Sequence, residues 1–145
     1  MNKVTPFLWY DGTAEEAAKF YTSLLKGSKI TSTSPMSTSF EIDGREFIAF
    51  NGGPHFKFNE SISLFINCET QEEVDDLWEK LSAGGEKSRC GWLKDKYGLW
   101  WQVVPSILGK LLGDKDRVKA NRVMQAMMKM SKLDIKGLED AYNGK

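Results

Sequence analysis

One histidine, two cysteines and a small set of amides and indoles are the side chains of this chain that could do chemistry. His55 follows Gly52-Gly53-Pro54 in a loop-like stretch, where an imidazole could serve as a general base or a hydrogen-bond donor. A single imidazole excludes multi-histidine metal centres. With no Gly-x-Ser-x-Gly motif present, it also leaves no serine nucleophile beside a base. Cys90 stands before Gly91-Trp92 with Arg89 and Lys94 close in sequence. A neighbouring cation would make it a reactive thiol; burial in a sheet would make it packing. Cys68 reads as packing, and two cysteines are too few for a disulfide framework, so both are expected free in a reducing cytoplasm. Gly52-Gly53-Pro54 leads into no helical pattern, so it reads as a turn and not as a cradle for a nucleotide.

The aromatic residues are more informative. Trp9, Trp92, Trp100 and Trp101 fall in strand-like stretches and Trp78 in a helical one. In a strand of period two, Trp100 and Gln102 share one face and Trp101 and Val103 the other. An amide is costly against a packed helix, so Trp100 and Gln102 are expected to line a concavity. Asn51, ending an apolar strand, is expected to face it too. Trp9, Asn51, His55, Cys90, Trp92, Trp100 and Gln102 form the candidate ligand-binding set, with no catalytic residue assigned. An apolar hollow with a few amides suits a small, flat, largely neutral organic ligand; the bland alternative is that these rings fill the core.

The elements that must position these side chains come as a repeat. Thr13–Gly27 matches Thr70–Gly84 at a shift of 57 positions, pairing Glu15-Glu16 with Glu72-Glu73, Phe20 with Leu77, Tyr21 with Trp78 and Leu24 with Leu81. Each copy predicts a helix whose threonine and glutamate three places on form a capping box. Its apolar stripe runs at i, i+3, i+4, i+7 and a glycine stops it. Strand-like runs precede them at Val4–Tyr10 and Ser61–Asn67. Short β pieces follow at Ile30–Ser34, Thr38–Ile42 and Phe47–Asn51, then at Lys87–Cys90, Trp92–Lys94 and Leu99–Val104. Asp43-Gly44 marks a tight hairpin. The chain therefore reads βαβββ twice, in modules of about 1–52 and 58–105 that form a domain over 1–105. Phe47–Phe50 and Leu99–Val104 are apolar almost throughout, so both sheet faces need cover. Helices cover one; a second sheet, a ligand or a partner chain must cover the other.

After Pro105 the pattern becomes helical. Residues 107–112 make a short amphipathic helix ended by Gly113. A second helix capped by Asp114 or Asp116 is expected to run to about Lys132, and Asp134 caps a last turn around Leu138. Four of the six methionines lie in this 106–145 appendage, which is expected to pack on the sheets or on a partner subunit. The 145 residues carry 20 Lys and Arg against 20 Asp and Glu, a balance that argues against nucleic acid or an anionic membrane as partner. No run approaches a membrane span and the start has no signal-peptide organisation.

Several stretches together carry a family likeness: Thr5–Gly12, Glu15-Glu-Ala17 with Phe20-Tyr21, Phe40–Gly44, Asn51–Pro54, Cys90–Asp95, Tyr97–Pro105, Val123–Met130 and Lys132–Ile135. With the doubled module they resemble the vicinal oxygen chelate superfamily, which includes the glyoxalases, bleomycin resistance proteins and dioxygenases. More closely they resemble its PhnB-like branch, labelled 3-demethylubiquinone-9 3-methyltransferase-like. The resemblance implies an α+β fold of two βαβββ modules with curved mixed sheets, and a homodimer binding a small organic ligand. Relatives carry a longer stretch than Ser28–Thr38, which implies a truncated second strand. Metal-dependent members hold a divalent cation with His and Glu from the first, fourth, fifth and eighth strands. Here those strands offer Thr5 and Trp9, Asn51, Ser61, Ser63 and Asn67, and Gln102, so a metal-free, cofactor-free pocket is expected. A metal-dependent lyase, isomerase or dioxygenase, a methyltransferase, and a purely structural interaction module stand as the other readings.

Overall fold

The computed structural model describes residues 2–145. The chain folds as two compact units, Met1–Phe58 and Asn59–Lys145. In the first, β1 (Phe7–Tyr10), α1 (Ala14–Leu24), β2 (Ser28–Thr33), β3 (Ser37–Ile42) and β4 (Arg45–Asn51) follow one another. In the second the same succession is β5 (Leu64–Cys68), α2 (Gln71–Ser82), β6 (Glu86–Lys87), β7 (Trp92–Lys94) and β8 (Trp100–Pro105). The sheets have the orders β1-β4-β3-β2 and β5-β8-β7-β6. In each, only the first pair is parallel. The repeat reaches individual backbone bonds: Gly52 N donates to Tyr10 O at 2.9 Å, as Ser106 N does to Cys68 O at 2.8 Å.

Each helix covers one sheet face. Ala14, Ala17, Ala18 and Tyr21 are buried on α1, where Tyr21 meets the Phe40 ring and shares a hydroxyl contact with Tyr10. On α2, Val74, Leu77, Trp78 and Leu81 are buried. Strand residues under the helices are closed off in strict alternation, Leu8 and Tyr10, Phe40, Phe47 and Ala49, then Leu93, Trp101 and Val103, as a pleat requires.

Local expectations hold in part. Thr70 accepts from Glu73 N, and Glu73 reaches back to Glu69 N. Thr13 forms no side-chain cap, while Asn51 Oδ1 accepts from Ala14 N at 2.8 Å. Asp43 and Gly44 both take positive φ, 51° and 76°, the pair of angles a tight two-residue hairpin demands. β2 runs six residues and β6 two. Of the strand expected at Lys87–Cys90 only Lys87 is in β6, and the chain then leaves the sheet as Cys90 and Gly91 turn left-handed at φ 59° and 85°.

The helices α3 (Ile107–Leu112), α4 (Arg117–Met127) and α5 (Ile135–Tyr142) belong to the second unit. Leu108, Val123, Leu133 and Leu138 close a small core over Val104 of β8. Asp116 and Asp134 cap α4 and α5. The helix expected to reach Lys132 ends at Met127; beyond it Lys129 N and Met130 N turn to i−3 bonds, and the carbonyls of Met130 and Ser131 accept from Cys90 N and Gly91 N. No described helix is long and apolar enough to cross a membrane.

One carboxylate ties the β7–β8 turn together. Buried Asp95 accepts from Tyr97 N at 2.8 Å and Leu99 N at 3.0 Å through Oδ1, and from Trp101 Nε1 at 2.9 Å through Oδ2. Removing it strands two buried donors and one half-buried one. Asp95→Ala is expected to lower the unfolding free energy by about 3 kcal/mol in urea titrations.

Candidate functional site

Opposite α2, the second sheet presents Phe65, Trp92, Lys94, Trp100 and Gln102, the residues out of phase with those under the helix. Gln102 Nε2 donates to Ser63 Oγ at 3.0 Å, which fixes the amide while leaving it half-buried. Trp92 and Trp100 meet edge to face, 6.5 Å between centroids at 61°, the offset geometry that indole quadrupoles favour. Lys94 Nζ lies 6.0 Å from the Trp100 ring and 3.5 Å from Glu86. Phe65 is 54% exposed. Trp101, one residue from Trp100, is buried beneath the helix. Val104, next on the open face, is already covered by the appendage.

The first sheet repeats the theme. Opposite α1 it carries Phe7, Trp9, Ile48 and Phe50 with Ser37, Ser39, Glu41 and Glu46. Trp9 meets Phe50 at 5.3 Å and Phe56 at 4.8 Å, both edge to face, and its indole N–H donates to Gly53 O at 2.9 Å. The ring lies across Gly52 so closely that a Cβ there would stand 2.2 Å from it. Phe7 is 57% and Phe56 66% exposed.

The structure therefore brings Trp92, Trp100 and Gln102 together on one open face and puts Trp9 on the corresponding face of the other module. Asn51 does not lie on such a face. It pairs with Tyr10 on the helix side, and its amide accepts from Ala14 N and donates to Pro35 O at 3.1 Å. The free N–H groups at a helix start are a strong demand, and the strand end is where an amide can meet it. His55 is exposed in the loop beyond Gly53. Cys90 is half-buried in the left-handed turn before β7 and off the strands. Phe7, Phe56 and Phe65 were not singled out from sequence, and Ser63 was weighed there only as a metal donor. Phe65 sits in the run Leu64-Phe65-Ile66, where unbroken hydrophobicity hides the alternation; Phe56 meets Trp9 only through the loop's return.

The four strands that hold metal in the superfamily place Phe7 and Trp9, then Glu46, Ile48 and Phe50, then Phe65 and Asn67, then Trp100 and Gln102 on the open faces. Glu46 is the one carboxylate, and opposite it stands Glu41, 3.9 Å from Lys29. No three His, Cys, Asp or Glu side chains converge among the described residues. One carboxylate with neutral amides and rings does not fit a divalent cation.

Residues 2–104 match the family described as 3-demethylubiquinone-9 3-methyltransferase. The chain belongs to this family. It is a family with PhnB-like members. A solved PhnB protein of Bacillus cereus is 34% identical over 72% of this chain and 99% of its own, with a TM-score of 0.66. A Pseudomonas aeruginosa protein, 19% identical over 72% and 98%, has the same fold at 0.62. So has a glyoxalase-related enzyme of Fulvimarina pelagi, 14% identical over 74% and 91%, at 0.52. None of the curated proteins matches the chain. The family match stops at 104, so the helical appendage lies outside it.

Cys68, by contrast with Cys90, is sealed beneath the sheet. Burial, reinforced by the Glu73 carboxylate, pushes its thiol up to about 12. At pH 8 a thiol reagent is expected to modify Cys90 in the folded protein and Cys68 only after denaturation. An unfolded thiol ionises near pH 8.5, so the folded state gains from Cys68 below that pH and loses the gain as pH rises toward 12. Urea titrations of wild type and Cys68→Ala across that window are expected to converge as the pH increases.

Proposed function

We propose that the protein binds a small, flat, largely apolar organic molecule against its open aromatic sheet faces, without a metal ion. The observation that carries this reading is the second sheet's open face. Trp92, Trp100 and Phe65 offer ring surface there, and Gln102, oriented by Ser63, offers one placed amide. Apolar walls with a few fixed polar groups are the ordinary make-up of a small-molecule site. Rings left more than half exposed, such as Phe7 and Phe65, also favour a second copy of the chain covering these faces in a homodimer, since large bare aromatic patches mark interaction surfaces.

Metal-assisted chemistry of the glyoxalase type draws no support from the donor set. Methyl transfer, which the family's description names, would need a site for the methyl donor, and Gly52-Gly53-Pro54 leads into an irregular loop with no helix start behind it.

The test uses 1-anilinonaphthalene-8-sulfonate as a flat aromatic probe on dialysed protein. Saturable quenching of tryptophan emission is expected, weakened about tenfold by Trp100→Ala, the factor that roughly 1.4 kcal/mol of lost ring contact gives. Probe binding unaffected by Trp100→Ala and Trp9→Ala would defeat the proposal. So would stoichiometric divalent metal in protein purified without a histidine tag, or micromolar saturable heat with S-adenosylmethionine, each pointing to a different chemistry. Sedimentation at twice the chain mass is expected if the faces are covered by a second copy.

A further inference from the structure

The backbone around Cys90 is held in part from outside its own sheet. Cys90 takes φ 59° and Gly91 φ 85°. A left-handed non-glycine residue is strained and persists only where surrounding structure over-determines it. The sheet contributes one bond, Val103 N donating to Gly91 O at 2.8 Å, but β6 has two residues, and β6 and β7 share two ladder pairs. The remaining restraint comes from the stretch between α4 and α5. Met130 O accepts from Cys90 N at 2.9 Å and Ser131 O from Gly91 N at 2.8 Å, while Ser131 Oγ donates to Ser88 O. Buried Leu133 sits against Gly91, where a Cβ would come within 2.9 Å of its Cδ1.

The same stretch is anchored on α2. Gln71 Nε2 donates to Leu133 O at 3.1 Å, Gln71 Oε1 accepts from Ile135 N at 2.7 Å, and Lys132 pairs with Asp75 at 2.9 Å. That pair holds the Asp75 carboxyl below its usual range and the Lys132 ammonium above its own. Residues 130–135 thus form a strap running from the start of α2 to the 88–91 turn. That turn feeds directly into Trp92, whose backbone is tied back to it through Trp92 N to Arg89 O and Ser88 N to Trp92 O.

We infer that the strap, an element outside the family match, is a positioning device: it holds the Cys90–Gly91 turn left-handed and so sets the angle of Trp92 against Trp100 on the open face. Gln71, Ser131 and Leu133 are positioning residues acting through that turn. Release of the strap would let Cys90 relax and Trp92 swing, coupling the appendage to the Trp92–Trp100 pair through the backbone of the turn. The inference does not require that the face bind a ligand, because its readouts are taken on the free protein.

The test reads two signals: the hydrogen-exchange protection of the Cys90 and Gly91 amides, and the exciton couplet of the Trp92–Trp100 pair, identified as the circular-dichroism feature that Trp92→Phe abolishes. Gln71→Ala, which keeps a good helix former at that position, is expected to speed exchange at both amides about tenfold, the factor equivalent to roughly 1.4 kcal/mol of lost anchoring. It should also shrink the couplet while α2 and β8 amides stay protected. Adding Cys90→Gly, which removes the strain of the left-handed residue, is expected to restore the couplet. Leu133→Ala should repeat the loss more strongly, and if that variant unfolds, Gln71→Ala decides alone. An unchanged couplet and unchanged protection in folded Gln71→Ala would overturn the inference. Loss of the couplet without rescue by Cys90→Gly would overturn the part assigned to the left-handed turn. Failure of the fluorescent-probe test above leaves both signals standing.

Discussion

A four-stranded sheet has two faces, and each module here supplies one helix to cover them. That shortage organises the molecule. The alternating strand residues fall into a set sealed under α1 or α2 and a set left facing outward, and the outward set is as aromatic as the inward one. Phe7, Trp9 and Phe50 in one module and Phe65, Trp92 and Trp100 in the other would cost the folded state little only where something covers them. Ring-on-ring packing recovers part of that area within each face. The loop after β4 contributes Phe56 to the same end, folding back so that its ring meets Trp9.

The duplication is faithful where backbone geometry rules and loose where side chains do. Strand orders, parallel pairs and the closing bonds after β4 and β8 coincide. The links from strand to helix differ: Thr13 stands three residues beyond Tyr10, whereas Thr70 stands two beyond Cys68. The first helix is capped from across the sheet by Asn51 and the second by its own threonine. In the second module Pro105 occupies the place of Asn51, with no amide to lend. Two solutions to one requirement, unsatisfied N–H groups at a helix start, have been reached in a single chain.

Much of this was legible in the residues and some was not, for identifiable reasons. Helical stripes, glycine stops and the Asp43-Gly44 hairpin follow from local periodicity and turn chemistry, and they stand. The separation of Trp100 and Gln102 from Trp101 and Val103 follows from the pleat alone. Asn51 was misplaced because its partner lies 37 positions away, at the start of α1. The end of α4 was misplaced because the chain tightens to i−3 bonds at Lys129 and Met130, which helix propensity does not foresee. The strand expected at Lys87–Cys90 is β only at Lys87, because Cys90 and Gly91 turn left-handed and bond to residues some 40 positions later. Asp95 escaped notice because a carboxylate between two lysines reads as surface, and only the fold shows three donors converging on it.

The brevity of β6 has a consequence for behaviour at high concentration. A sheet margin with a long bare ladder invites a foreign strand to add to it and begin a fibril. Here the margin at β6 is two residues long and carries Glu86 and Lys87, too short and too charged to template such growth. The corresponding margin at β2 is longer, but its pairing slips between Ile30 and Ser32 and its side chains are mostly hydroxyls. Both of these borders are therefore poor seeds for amyloid.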